Sequence, residues 1–315
     1  MKNWFRAGVA ALAAVMAFGG LAEEAQAVVC SRKPLKVLMI GNSFSICVLK
    51  EMPAIAAELG LPLDLCSLYL GGCSLERHMK NVNDPASKPY RVTWSYVSTE
   101  KDKVPFMSVL SEPQKDNQRF GNIPAMLAAD KWDVVTVQQA SGLSWQPCSY
   151  EPYGTQLLET IARLAPQAKV YVQQTWSYTP WDGRLKNWGI DQNTMFDALE
   201  AAYADFARRH KLEIIPTGRA VQAYRRALPV VYTEKSNDDD LCGTDTFVQK
   251  NGKWSPKGDV FHFNPRGEFL QGLVWTAKLF GADVTKGVYV PKCLAKQPER
   301  AKLMRKVAAE TVAGR

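Results

Sequence analysis

The stretch Lys36-Val37-Leu38-Met39-Ile40-Gly41-Asn42-Ser43-Phe44-Ser45 decides the fold. Its apolar run is too short for a helix and ends at a glycine, which reads as a buried strand, and helical periodicity follows from Ser45 to Leu59. A strand that passes through a Gly-Asn-Ser turn directly into a helix opens a βαβ unit. The same alternation recurs along the chain. Further strands are predicted at Pro62 to Tyr69, Asp133 to Gln138, Ala168 to Gln173 and Leu212 to Pro216. Helices are predicted at Ile123 to Ala129, Gly154 to Leu164, Gln192 to His210, Gly218 to Ala227 and Arg266 to Phe280. In the segment 192–210, Met195, Leu199, Tyr203 and Phe206 recur at helical spacing and form one buried stripe. Strands alternating with helices imply a parallel sheet covered on both faces. The expectation is a three-layer α/β/α domain with a mostly parallel, five-stranded sheet.

Two stretches interrupt the rhythm. Asn81 to Asn122 is polar and proline-bearing, and Tyr232 to Gly258 holds Asp238-Asp239-Asp240 among several glycines. Segments of this length inside a domain are more often excursions around a site than linkers. The N-terminus has the layout of a secretory signal: Lys2 and Arg6, an apolar stretch from Ala7 to Phe18, and Ala25-Gln26-Ala27 as a small-x-small cleavage site. Glu23 and Glu24 close that stretch short of the about 20 apolar residues a membrane span needs. The expected organisation is a signal peptide over 1–27, a catalytic-type domain over 28–288 and a basic tail over 289–315. The protein is expected to be exported, to the periplasm or beyond, without a stable membrane span.

Composition narrows the class. Of 315 residues 46% are hydrophobic and 22% charged, which excludes a disordered or collagen-like chain. The net charge of +8 is mostly local, because the last 27 residues contain seven basic and two acidic side chains. This reads as a solvated terminal helix face, and no nucleic-acid partner is expected. All seven cysteines follow the signal, so in an oxidising compartment an even subset is expected to pair. Asp238 to Asp240 lacks the spacing of a calcium loop, and no metal or cofactor is expected.

Four local features carry chemistry. A serine on a sharp strand-to-helix turn is lifted off the sheet and stands by free N–H groups at the helix start, which suits a nucleophile, and Ser43 occupies that position. It also suits a plain helix cap. Asp259-Val260-Phe261-His262 lies before the last long helix of the predicted domain. There the carboxylate can hold the imidazole Nδ1–H and leave Nε2 to take a proton from a serine. Gly71-Gly72-Cys73-Ser74 and Gln138-Gln139-Ala140-Ser141 follow the second and third strands and offer backbone N–H and carboxamide donors for an oxyanion.

Read together, these features resemble the SGNH (GDSL-like) hydrolase superfamily in the order its sequence blocks occur. Gly41-Asn42-Ser43 resembles the first block, with Asn where the family usually has Asp; Gly72 resembles the second, and Asp259-x-x-His262 the fifth. The third block departs, since its G-x-N-D asparagine is missing and Gln138-Gln139 stands at the strand end. The segments IGNSFS, GGCSLERH, WDVVTVQQAS, QQTWSY and D-x-x-H-x-N are similar to those of a bacterial branch whose members lack an assigned substrate. The match runs from Lys36 to about Val284. The resemblance implies a flavodoxin-like α/β/α fold and a serine esterase with Ser43 as nucleophile, His262 as general base and Asp259 as its orienter. It also implies an oxyanion hole from Ser43, Gly72 and a carboxamide. Strand alternation favours Gln139 for that role, with Gln138 as the alternative register.

Trp176 and Tyr178, just past the fourth strand, and His78, past the second turn, are expected to line the cleft. Aromatic faces suit sugar rings, so an O-acyl, for example O-acetyl, group on a carbohydrate is the expected substrate. Two rival readings are a noncatalytic carbohydrate-binding relative, suggested by the missing asparagine, and a metal-dependent phosphoesterase using the acidic stretch.

Overall fold

The computed structural model describes residues 33–84, 86–97, 104–228, 240–244 and 246–315. The expected signal peptide, Cys30, Asp238 and Asp239 lie outside them. Strand β1 (Leu35–Gly41) runs through the middle of the sheet, and Val37 to Ile40 are buried because helices cover both of its sides. The chain then forms the single-turn helix α1 (Ser43–Ile46) and, past Cys47, helix α2 (Val48–Glu58). Strand β2 (Leu63–Tyr69) returns parallel to β1, and α3 (Leu75–Val82) follows. Strands β3 (Tyr90–Ser95) and β4 (Arg119–Gly121) precede α4 (Ile123–Ala129) and β5 (Val134–Val137). Next come α5 (Tyr153–Leu164), β6 (Lys169–Gln173), α6 (Gly183–Trp188), α7 (Gln192–His210) and β7 (Glu213–Ile215). Helix α8 (Thr217–Ala227), a hairpin of β8 (Phe247–Lys250) and β9 (Lys253–Pro256), α9 (Pro265–Phe280) and α10 (Pro298–Val312) complete the order.

The main sheet has the order β4-β3-β2-β1-β5-β6-β7. It has seven strands where five were expected. The five expected strands are the parallel ones, and the extra two come from the polar 81–122 stretch, pairing antiparallel at one edge. They escaped the apolar-run signal because an edge strand is only half covered: in β3, Tyr90 and Val92 are buried while Arg91 and Thr93 are partly exposed. Helices α2, α8, α9 and α10 pack together as one group, and α3, α4 and α5 as another. From β1 the chain first adds β2 on one side and later β5 on the other. The carboxyl end of β1 is therefore the switch point, where open α/β sheets leave a crevice for ligands.

The basic segment after 289 forms a terminal helix that packs on the domain with most of its basic side chains exposed. Helix α10 packs on α8 and α9 through Ala301, Met304, Val307 and Ala308, and its Arg305 is buried. Arg305 donates to Val284 O (2.7 Å), Tyr289 O (2.7 Å) and Glu58 Oε1 of α2 (2.7 Å). The expectation of disulfides is not met among the described residues, whose six cysteines are all free thiols. Four are buried in separate settings. Cys47, for example, donates to Gln271 Oε1 at 2.8 Å, and burial pushes its thiol far above the ordinary range.

Candidate active site

The turn after β1 is held from several sides. Gly41 is required there because a Cβ would collide with the Ser45 hydroxyl. Asn42 is extended (φ −139°, ψ −153°), and its side-chain oxygen caps α1 by accepting Phe44 N–H at 3.0 Å. The same oxygen accepts from Gln138 Nε2 (2.7 Å), and Asn42 Nδ2 donates to Cys73 O (3.1 Å). An aspartate at this position would lack that donor. The Phe44 carbonyl accepts from Gln173 Nε2 (2.7 Å) and Gln271 Nε2 (2.9 Å), which ties the turn to β6 and α9. Ser43 is left partly exposed above this scaffold, at the first position of a helix, where its own N–H has no intrahelical acceptor.

The second half of the site comes from the segment before α9. Asp259 Oδ1 accepts the backbone N–H of Phe261 (2.8 Å) and His262 (2.9 Å), and Oδ2 accepts His262 Nδ1–H. This leaves His262 Nε2 as acceptor for the Ser43 hydroxyl at 2.7 Å. Partial burial pushes the Asp259 carboxyl up, but the His262 ring and the two backbone N–H groups outweigh it and hold it at about 2. The loop is strapped to residues 241–244. Gly243 N–H donates to His262 O (2.8 Å), Thr244 N–H to Asp259 O (3.0 Å) and Asn264 N–H to Leu241 O (3.0 Å). Gly243 is left-handed (φ +78°), and any Cβ there would press on the Asp259 carbonyl at 2.9 Å. Asn264 caps α9 by accepting from Arg266 N–H and Gly267 N–H. Asp240, the described member of the acidic run, pairs with buried Arg225 and accepts Leu241 N–H.

Three expected cleft residues are placed inside the protein instead. Trp176 is buried between the rings of Phe44 (4.0 Å) and Phe263 (3.4 Å), and its Nε1 donates to Phe261 O (2.9 Å). Trp176 thus supports the histidine loop from below. Tyr178 is buried with its hydroxyl on Ser141 Oγ (2.8 Å), and His78 is buried against Tyr90, 2.8 Å from its hydroxyl. Gln139, expected to face the oxyanion, is instead tied up in the protein. Its Nε2 donates to Ser149 O (2.7 Å) and Oγ (3.1 Å), and its oxygen accepts Leu75 N–H (3.1 Å) and Ala140 N–H (2.8 Å). No donor is left for an oxyanion. Gln138 faces Asn42 at the end of β1, so of the two carboxamides it is the one beside the nucleophile turn. Gly72, left-handed at φ +59°, stands exposed in the turn after β2.

A cavity of about 620 Å³ opens at Ser43 and His262. Its wall includes Lys50 of α2 and Arg91, Thr93, Trp94 and Ser95 of β3, none of which sequence reasoning singled out. The only signal was the placement of the 81–122 excursion itself.

The mostly parallel α/β/α sheet thus sets Ser43, on the turn after its first strand, against the D-x-x-H loop, the arrangement that the resemblance to SGNH, or GDSL-like, hydrolases implied. The chain belongs to the family described as Domain of unknown function (DUF4886), whose model matches residues 36–311. It is similar to a DUF4886 protein from Bacteroides uniformis, with 25% identity and a TM-score of 0.68, covering 89% of this chain and 95% of that one. A lipase/acylhydrolase from Enterococcus faecalis is similar at 13% identity and TM-score 0.42, over 78% of this chain and 96% of that one. An acetyl xylan esterase is similar at 12% identity and TM-score 0.45, over 77% and 98%. No curated protein matches the chain.

Proposed function

We propose that the protein is a serine esterase that cleaves acyl esters. The observation that carries this reading is the unbroken relay from Asp259 through His262 to Ser43 Oγ, ending at 2.7 Å. Ser43 Oγ attacks the ester carbonyl carbon while its proton passes to His262 Nε2. The tetrahedral oxyanion faces the N–H groups of Ser43 and Gly72. Its collapse breaks the bond to the alcohol oxygen, which takes the proton from His262, and leaves an acyl-serine. Water, deprotonated by the same nitrogen, then releases the carboxylic acid and restores Ser43.

The substrate class in this reading is an O-acyl, for example O-acetyl, group on a carbohydrate. A tryptophan set among hydroxyls and a carboxamide in the cavity wall (Trp94, Thr93, Ser95, Gln118) supports it, since such linings suit a polar, ring-shaped alcohol. Export belongs to the same reading, on the N-terminal pattern of the sequence. N-terminal sequencing of the mature protein checks cleavage after Ala27. Hydrolysis of p-nitrophenyl acetate with and without EDTA tests the chemistry. Turnover that is EDTA-insensitive and abolished in Ser43→Ala supports the esterase. Unchanged turnover in Ser43→Ala ends it, and loss on EDTA treatment would favour a metal-dependent hydrolase.

A further inference from the structure

The cavity wall beside Ser43 holds a cation, Arg91, that makes no ion pair with any of the described residues. In the sheet register Gly41 pairs with Tyr69, and Tyr69 in turn pairs with Arg91. Strands lie about 4.8 Å apart, so this row carries the Arg91 backbone on the order of 10 Å from Gly41 and the nucleophile turn. The Arg91 guanidinium lies over the Tyr69 ring, 4.6 Å from its centre. Its Nε is buried and makes no hydrogen bond. Among the described residues no carboxylate pairs with it, in contrast to Arg184, Arg225 and Arg305, each of which has one. Burying part of a guanidinium without an acceptor is unfavourable, which is intelligible if a ligand supplies the acceptor. Lys50 adds a second, exposed cation to the same cavity. Glu268 is the carboxylate in its wall, and burial moves that group toward its neutral form while Lys50 opposes the shift.

We propose that Arg91 selects acyl esters that carry a negatively charged group near the scissile bond, bound in the cavity between β3 and Ser43. The planar fork of the guanidinium suits a carboxylate or a phosphate or sulfate oxygen pair, and the neighbouring Thr93 and Ser95 hydroxyls can complete the shell. This deepens the esterase reading and rests on it.

The test compares esters with neutral isosteres at low ionic strength. For the acyl side the pair is p-nitrophenyl hemisuccinate and its methyl ester; for the alcohol side it is 4-acetoxybenzoate and methyl 4-acetoxybenzoate. In the wild type one pair is expected to show a preference of about tenfold or more for the anion in kcat/KM, carried by KM. Added salt should shrink it. Arg91→Gln is expected to bring the ratio close to one, and Arg91→Lys to restore part of it, with folding checked by circular dichroism. Equal turnover of anion and isostere in both pairs, with cleavage still dependent on Ser43, overturns the proposal and leaves the esterase reading standing. A preference that persists in Arg91→Gln overturns it as well. If Ser43→Ala cleaves as the wild type does, the esterase reading itself falls. Calorimetry in the Ser43→Ala background gives a readout without turnover. Binding of monomethyl glutarate but not dimethyl glutarate, lost on adding Arg91→Gln, supports the proposal, and indifference to the charge sinks it.

Discussion

Three side chains carry the proposed chemistry, and their removal should be non-additive because they act as a unit. Ser43→Ala and His262→Ala are each expected to lower kcat by up to about 10⁶-fold, with the double variant no worse than either single one. Stopped assays on folded protein check this. Asp259→Asn should cost less or comparably, by leaving the imidazole in the wrong tautomer. The same carboxyl has a stability consequence. Because it titrates at about 2 in the folded chain, below the ordinary value of about 3.9, its stabilisation is complete above that ordinary value and fades as pH falls toward 2. Denaturant titrations between pH 5 and 2 should therefore show an acid loss in the wild type that Asp259→Asn lacks. Ser43, Asp259 and His262 were legible in the sequence because each sits in a short motif whose geometry is local. Gln139 departs from the expected role for a physical reason. Face alternation holds only inside a strand, and β5 ends at Val137, so both Gln138 and Gln139 lie beyond it. Trp176 and Tyr178 are buried where cleft positions are expected, because sequence shows that a ring follows a strand, but not whether it turns inward.

At the level of elements, the site depends on ties between strand ends. Gln139 joins the start of α3 to the loop after β5, so Gln139→Ala leaves Leu75 N–H, Ala140 N–H and the Ser149 groups without their partner. It is expected to destabilise the fold by about 1 to 3 kcal/mol, with kcat of the folded protein within about twofold of wild type. Thermal melts and initial rates on the same preparation separate the two. A drop of a hundredfold in kcat at unchanged melting temperature would return Gln139 to the oxyanion role. The five parallel strands could be read because burial on both faces makes them continuous apolar runs. Strands β3 and β4 could not, since half-buried edge strands interleave polar residues and here follow a proline-bearing loop. Strand β3 and Gln118, just before β4, supply one wall of the cavity at Ser43, so that wall is the part of the site that sequence hid.

For the whole molecule, the C-terminal helix is a structural member rather than an appendage. Arg305→Ala removes the charge partner of Glu58 Oε1 and the donor to two carbonyls, and should cost on the order of 3 kcal/mol, seen as a lower midpoint in urea. A second global effect arises from His78. Burial, with help from Arg77, lowers its pKa to about 3, so the folded protein keeps it neutral while the unfolded chain protonates near 6.5. Stability should then fall as pH drops from about 6.5 to about 3, with close to one proton taken up on unfolding, and His78→Gln should flatten that slope. The nucleophile and its base stand 219 residues apart in the chain and meet only through the folded sheet. During translation Ser43 leaves the ribosome long before His262 exists, and the α10 helix that braces the fold comes later still. A ribosome stalled between residues 43 and 262 holds a polypeptide with that serine but no relay, so the proposed ester cleavage can begin only once synthesis has passed the histidine.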